Sequence, residues 1–497
     1  MAIKRYTADR DNTITNAYKS NLTTRGVSGN MGESDILEVF HIYGQASSDS
    51  SENSRILVRF PTDTIAADRT AGTIPASGSV SFYLRMFNAR HSQPTPANFI
   101  LTASAITTDW QEGVGLDMEN YSDIDASNWI TASDGPIVKW TTEGGDYDFT
   151  PTSSFQQTFE TGFENLEIDI SPLMEQWISS SANGKNATNL GSKNNYGLGV
   201  FLTSSQEDAS VSYYTKMFFA KGSHQFFKRP IIEARWDDSK SDDRGNFFLS
   251  SSLVPASDNL MKLYLYNVVK GQLTNIPAVG TGDILVSVYS GSSPTSSVPV
   301  GSKLFLPVGG GVVATGHTNV TASFSETGIY TASFAYVSSS ITTIFDVWHS
   351  GGIEYHTGSA ITVKTFSAQS YNFDTSYVTN ITNLRDTYSN QETARFRLYT
   401  RKKNWSPNIY VKASEATPNH IIENAYYRIT RASDGFKAVE YGTGSLNQTK
   451  LSYDSSGSYF DFDMAMLETD QTYDLNFVYK INGTFVQQPE TFKFRVE

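Results

Sequence analysis

Cysteine is missing from all 497 residues, which excludes disulfides, thiolate-held zinc, iron-sulfur clusters and thiol nucleophiles. No stretch is long and apolar enough to cross a bilayer as a helix, so membrane insertion is not expected. Basic residues are scarce, 38 Lys and Arg against 51 Asp and Glu, for a formal charge of -13. Nucleic-acid backbone and anionic lipid both recruit dense Lys and Arg, so neither is an expected partner. Only seven histidines occur, and no Gly-x-Ser-x-Gly elbow frames a serine, which weighs against a Ser/His/Asp hydrolase. The opening from Met1 to Asp11 carries basic residues with no apolar segment behind them, so no secretory signal is expected and folding in a cytoplasm is.

Short aromatic strands separated by Ser, Thr, Asn and Gly turns are what the chain does have. Aromatics are 13% of it and charged residues 18%, a balance that suits β-structure better than helix or disorder. Its length allows roughly three domains. The organising stretch is Arg55-Ile56-Leu57-Val58-Arg59-Phe60, where Ile56, Val58 and Phe60 share one face and Arg55, Leu57 and Arg59 the other. That period of two marks a half-buried strand. Asn194 to Leu202, entered through glycines, is its expected partner. Further strands are expected at 35–43, 80–87, 99–106, 166–170, 211–219 and 230–236. From Thr107 to about Glu164 the pattern slackens into a long loop. Ser171, Pro172, Glu175, Leu173 and Trp177 spell a short helix capped by Ser171.

The order of features over residues 1–236 resembles the DNRLRE family of jelly-roll domains. The residues that carry the likeness are the Arg55 to Phe60 strand, the Trp110-Gln111-Glu112-Gly113 turn, Trp177, Asn195-Tyr196-Gly197-Leu198 and Arg229-Pro230-Ile231-Ile232-Glu233. The resemblance implies a sandwich like that of carbohydrate-binding modules on secreted and surface proteins, with its Trp loop enlarged here by about Tyr121 to Phe163. The charged run 237–245 is read as a solvated linker. Over 246–365, Gly328-Ile329-Tyr330 followed by a strand carrying Trp348 is the habit of an immunoglobulin-like sandwich, here without its Cys pair. Residues 366–497 form another. Its Arg395-Phe396-Arg397-Leu398, Asn404 to Tyr410, Leu451-Ser452-Tyr453-Asp454 and terminal Phe492 to Glu497 are similar to the C-terminal domain of virion structural proteins of marine tailed phages, cyanophages included. That resemblance implies a structural role.

Several constellations could carry chemistry. Trp110, Tyr121, Trp129, Trp140 and Tyr147 in the enlarged loop suit stacking on sugar rings, or equally anchorage of the loop or contact with a neighbouring subunit. Asp123, Asp125 and Ser127 open like a calcium loop, but Asn128 stands where that loop needs glycine. Structural calcium is therefore the one cofactor the sequence leaves room for. His349, Glu354 and His356 suggest an edge metal site or simply a hairpin tip. Glu112 with Asp117 or Glu119 could form a glycosidase carboxylate pair.

The expected architecture is all-β, an N-terminal jelly-roll sandwich and two immunoglobulin-like sandwiches. The expected function is a non-enzymatic virion structural protein of a tailed phage, a neck, tail or head-surface appendage. It would act through contacts with other virion proteins and with copies of itself. A carbohydrate-binding adhesin module for host polysaccharide is the alternative, and a polysaccharide-degrading enzyme a third reading.

Overall fold

The structure is a computed structural model describing residues 2–117, 126–179, 193–293, 295, 297–306, 318–365, 376–405 and 419–497. The chain is all-β, and among the described residues the helices are short. It divides into two compact units, Met1–Asp237 with Gly444–Gln448, and Asp238–Thr443 with Thr449–Glu497.

The first unit is a jelly-roll-type sandwich. One sheet has four strands, Ile3–Thr7, Ile231–Arg235, Ser81–Met86 and Leu166–Asp169 in that order. The facing sheet runs Ser154–Phe159, Phe99–Ile106, Leu198–Leu202, Ser51–Arg59, Ile36–Tyr43 and Tyr213–Phe219, with Arg10–Thr15 and Tyr147–Asp148 pairing beside it. The organising strand does meet its expected partner, with Leu198 opposite Val58 and Val200 opposite Ile56. Gly197 is needed there: at φ +89° a Cβ would lie 2.2 Å from the Val58 carbonyl oxygen. Ile56, Val58 and Phe60 enter the main core with Phe82, Leu84 and Trp177.

Three expectations are corrected here. The organising strand is not half-buried, because Leu57 on its other face is also fully covered. The cover is the loop read as slack, which contains the hairpin Thr131–Asp134 with Ile137–Lys139 and the strands Tyr147–Asp148 and Ser154–Phe159. Finally, the helix Ser171–Ile178 has no side-chain cap. The Ser171 hydroxyl instead accepts from the Phe82 N–H, pinning helix to sheet. A second helix, Thr62–Thr70, escaped the sequence reading, and its Arg69 forks onto Glu175 of the first at 2.6 and 2.7 Å.

The second unit holds two sandwiches. In 246–365 one continuous sheet, ordered Met261–Tyr266, Ile329–Phe334, Val320–Glu326, Ile284–Ser290, Thr343–Ser350 and Ile353–Thr357, wraps a core containing Trp348 and Tyr330. The Tyr330 hydroxyl donates to the Gly280 carbonyl at 2.7 Å and accepts the Ile276 N–H, tying a loop to the core without a disulfide. In the last sandwich, Tyr377–Ile381, Thr393–Lys402, Gly457–Asp463 and Ser452–Asp454 face a sheet centred on Gln471–Ile481. Phe460 stacks between Phe396 and Tyr427, with ring centroids 5.0 and 4.1 Å away.

The run 237–245 is not a solvated linker over its described contacts. Tyr453 receives the Asp242 N–H on its carbonyl and donates its own N–H to Lys240, so the run zips onto a C-terminal strand. Arg244 forks onto Asp346 at 2.7 and 2.6 Å, and Asp346 also accepts the Trp348 indole N–H. Lys240 and Arg244, which look solvated in sequence, each meet a carboxylate, Glu326 and Asp346, while Asp242 is buried and Asp237 stays exposed.

Candidate functional site

The aromatic loop forms an interior layer. Trp110, Trp129 and Trp140 are buried with Ile14, Leu57 and Ile106, and Tyr147 packs against them. Both polar ends point inward: the Trp110 indole donates to the Tyr196 carbonyl at 2.7 Å, the Trp140 indole to the Asn128 carbonyl at 2.8 Å. Tyr147 donates to the Gly144 carbonyl, and its ring lies over Gly199, where a Cβ would come within 2.1 Å of it. Burial pushes the Tyr147 hydroxyl well above its ordinary pKa. Arg55, clamped on Glu207, sits 5.3 Å over Trp129 and 5.6 Å over Tyr147. Of the readings offered for these aromatics, the burial of Trp110, Trp129 and Trp140 fits anchorage of the loop and not an exposed stacking platform. Tyr121 lies outside the described residues.

The acidic candidates next to this layer are already engaged. Glu112 accepts the Asp11 N–H and the Lys221 ammonium. Ser127 donates to the Gln111 carbonyl and accepts from Asn12. Asp123, Asp125 and Glu119 lie outside the described residues, and among the described residues no group of three His, Asp or Glu could hold a metal ion.

His349 does meet a serine, which the sequence did not indicate. Its Nε2 lies 2.7 Å from the Ser287 hydroxyl. The Ser287 hydroxyl hydrogen is donated to the Asn319 side-chain oxygen at 2.8 Å, so the serine accepts from His349 rather than giving it a proton. Ser287 is also fully buried. The pair is polar cross-bracing between paired strands, the reverse of a nucleophile and its base. His356 stands opposite Trp348 and Glu354 opposite His349, with a bulge between them.

A pocket of about 410 Å³ opens beside the first sandwich, lined by Asn88, Ala89, Arg90, His91 and Phe163. Phe163 is 65% exposed, and the His91 Nδ1 is buried without a hydrogen-bond partner. Directly behind Asn88 lies Lys216, 1% exposed. Its ammonium donates to Asn88 Oδ1 at 2.5 Å and to the carbonyls of Gly162 and Glu164 at 2.7 and 2.8 Å. The rings of Phe159 and Phe218 flank it at 5.1 and 4.8 Å. Burial pulls Lys216 down to about 7, while the field of Glu164 opposes that fall. Sequence reading missed this site. Its one local signal was a lysine among the aromatics of Tyr213 to Phe219; its partners come from loops far away in sequence.

No family model and no curated protein matches the chain. Among solved structures, it is similar to a marsupial T cell receptor at 10% identity, over 51% of this chain and 71% of that one, TM-score 0.16. The N-terminal Ig1-2 module of the Drosophila receptor protein tyrosine phosphatase DLAR matches at 10% identity, over 48% and 90%, TM-score 0.13. Native E. coli alpha-2-macroglobulin matches at 11% identity, over 94% of this chain and 20% of its own, TM-score 0.15. None of these likenesses bears on what the chain does.

Proposed function

We propose that the chain is a non-enzymatic structural protein of a tailed-phage particle that works through protein contacts. The observation that carries this reading is the apolar surface of the middle sandwich. Phe305 is 69% exposed, and Leu253, Val268, Val269, Val298 and Ile353 are exposed with it. Single exposed apolar residues are ordinary, but Val268 and Val269 are adjacent in one exposed strand and suit a surface that a partner covers. The ribbon Val268–Val269 with Gln272–Leu273 is exposed on all four residues and pairs with no other strand among those described. A lone two-stranded ribbon is marginal in water, and a partner would stabilise it. The resemblance of residues 366–497 to marine phage virion proteins supplies the setting. Quantitative mass spectrometry of purified particles tests it: the chain is expected at fixed copy number relative to the capsid protein, and a chain recovered only free in the lysate sinks the reading.

A second reading, a glycan-binding module, draws on the pocket at Phe163, Arg90 and His91 and no longer on the buried tryptophans. An exposed ring beside polar donors suits a sugar face. Glycan-array binding lost on Phe163→Ala but kept in Trp129→Phe supports it, and an array with no signal removes it.

A further inference from the structure

We propose that Lys216 and Asn88 form an intramolecular isopeptide bond across the first sandwich. Lys216 belongs to Tyr213–Phe219 of the larger sheet, and Asn88 follows Ser81–Met86 of the smaller one, bridging to Phe218. The amine and the amide are already in contact at 2.5 Å. Phe159 and Phe218 hold water away from them, and burial frees the amine from its proton near neutral pH. Desolvated amines of this kind are the nucleophilic lysines of proteins.

A negative charge acts on the amine as well. Glu164 feels Lys216 electrostatically, its Oε1 is held by the Thr161 N–H and hydroxyl, and its Oε2 is buried with no hydrogen-bond partner. Burial would raise the Glu164 carboxyl, but N–H and hydroxyl donors overrule burial and hold it at about 2, so it stays ionised and its field steadies positive charge on Nζ as the bond forms.

The step balances without any added reagent. The neutral Lys216 amine, which burial makes available near pH 7, forms a bond from its Nζ lone pair to Asn88 Cγ as the carbonyl π electrons move onto Oδ1. Nδ2 takes up the proton that Nζ sheds, and the electrons on Oδ1 re-form the carbonyl. The Cγ–Nδ2 bond breaks and ammonia leaves through the pocket that Asn88 lines. No group is oxidised or reduced. The product is a covalent tie between the two sheets, made in a chain that has no cysteine to make one.

Intact-mass spectrometry of the purified full chain decides the matter. A mass one ammonia below the sequence mass is expected, with a protease digest containing a branched peptide that joins the Asn88 and Lys216 segments. The sequence mass, or an ammonia loss confined to a linear Asn88 peptide as in succinimide formation, overturns the proposal. Lys216→Met and Asn88→Ser are each expected to restore the mass calculated for the substituted sequence. Glu164→Gln tests the field: a folded variant that cross-links more slowly supports it, and cross-linking as fast and complete as in the parent protein removes Glu164 from the mechanism.

Discussion

Glu233 concentrates the charge chemistry of the first unit. Its carboxylate receives Arg5 at 2.7 Å, Arg85 at 2.8 Å and Arg235 at 2.7 Å, and it is almost wholly buried. Burial would raise its pKa, but the three guanidiniums overrule burial and hold it far below the usual range. A depressed carboxyl contributes stability that is present above its unfolded value and lost as pH falls through the folded one. Glu233→Gln leaves three arginines short of a counter-charge and is expected to cost about 3–5 kcal/mol in urea unfolding of the full chain. Asp242 has the opposite sign. Burial raises it to about 6 against the pull of Arg244, with Asp346 adding to the rise. Its contribution is therefore complete below the ordinary value of 3.8 and lost as pH climbs to about 6. Asp242→Asn is expected to flatten the fall in stability over that window; an unchanged pH profile would show that Asp242 does not titrate there.

At the scale of elements, the covering loop and the strand beneath it stand or fall together. Trp140 fills the layer over Leu57 and satisfies the Asn128 carbonyl, so Trp140→Ala removes both packing and a buried hydrogen bond. A loss of about 3–5 kcal/mol is expected, with faster amide exchange in Ser51–Arg59 than in Ile284–Ser290 of the other unit. Equal acceleration of both strands would mean that the loop does not protect its own sheet. The strands themselves were legible: Ile36–Tyr43 and Ser81–Met86 each follow from alternation and β-branched or aromatic residues. The helix Thr62–Thr70 was not, because Ala66, Ala67 and Ile65 among polar residues give only a faint amphipathic stripe.

For the whole molecule, the exposed ribbon at Val268 and Val269 predicts a partner rather than a pathway of chemistry. On the proposed structural role, Val268→Glu with Val269→Glu is expected to leave the circular dichroism spectrum and melting of the isolated chain unchanged and to abolish its incorporation into particles. Incorporation at the parental level would place the interface elsewhere. Residues settled by their own neighbours in the chain were readable in advance: the period-two strands, the Asn194 to Leu202 stretch as partner of Arg55 to Phe60, the strand that carries Trp348 and the all-β class. The candidate site was not, since the indoles of Trp110, Trp129 and Trp140 have the same composition whether exposed or buried. What turned them inward was the seat offered by Leu57 and the carbonyls of Tyr196 and Asn128. Sequence by itself determined alternation, because side chains on a strand point to opposite faces at a fixed short period. Only the tertiary structure decided which second faces are covered and which charges meet, as with Asp242, Lys216 and Asn88, because those contacts join segments far apart along the chain.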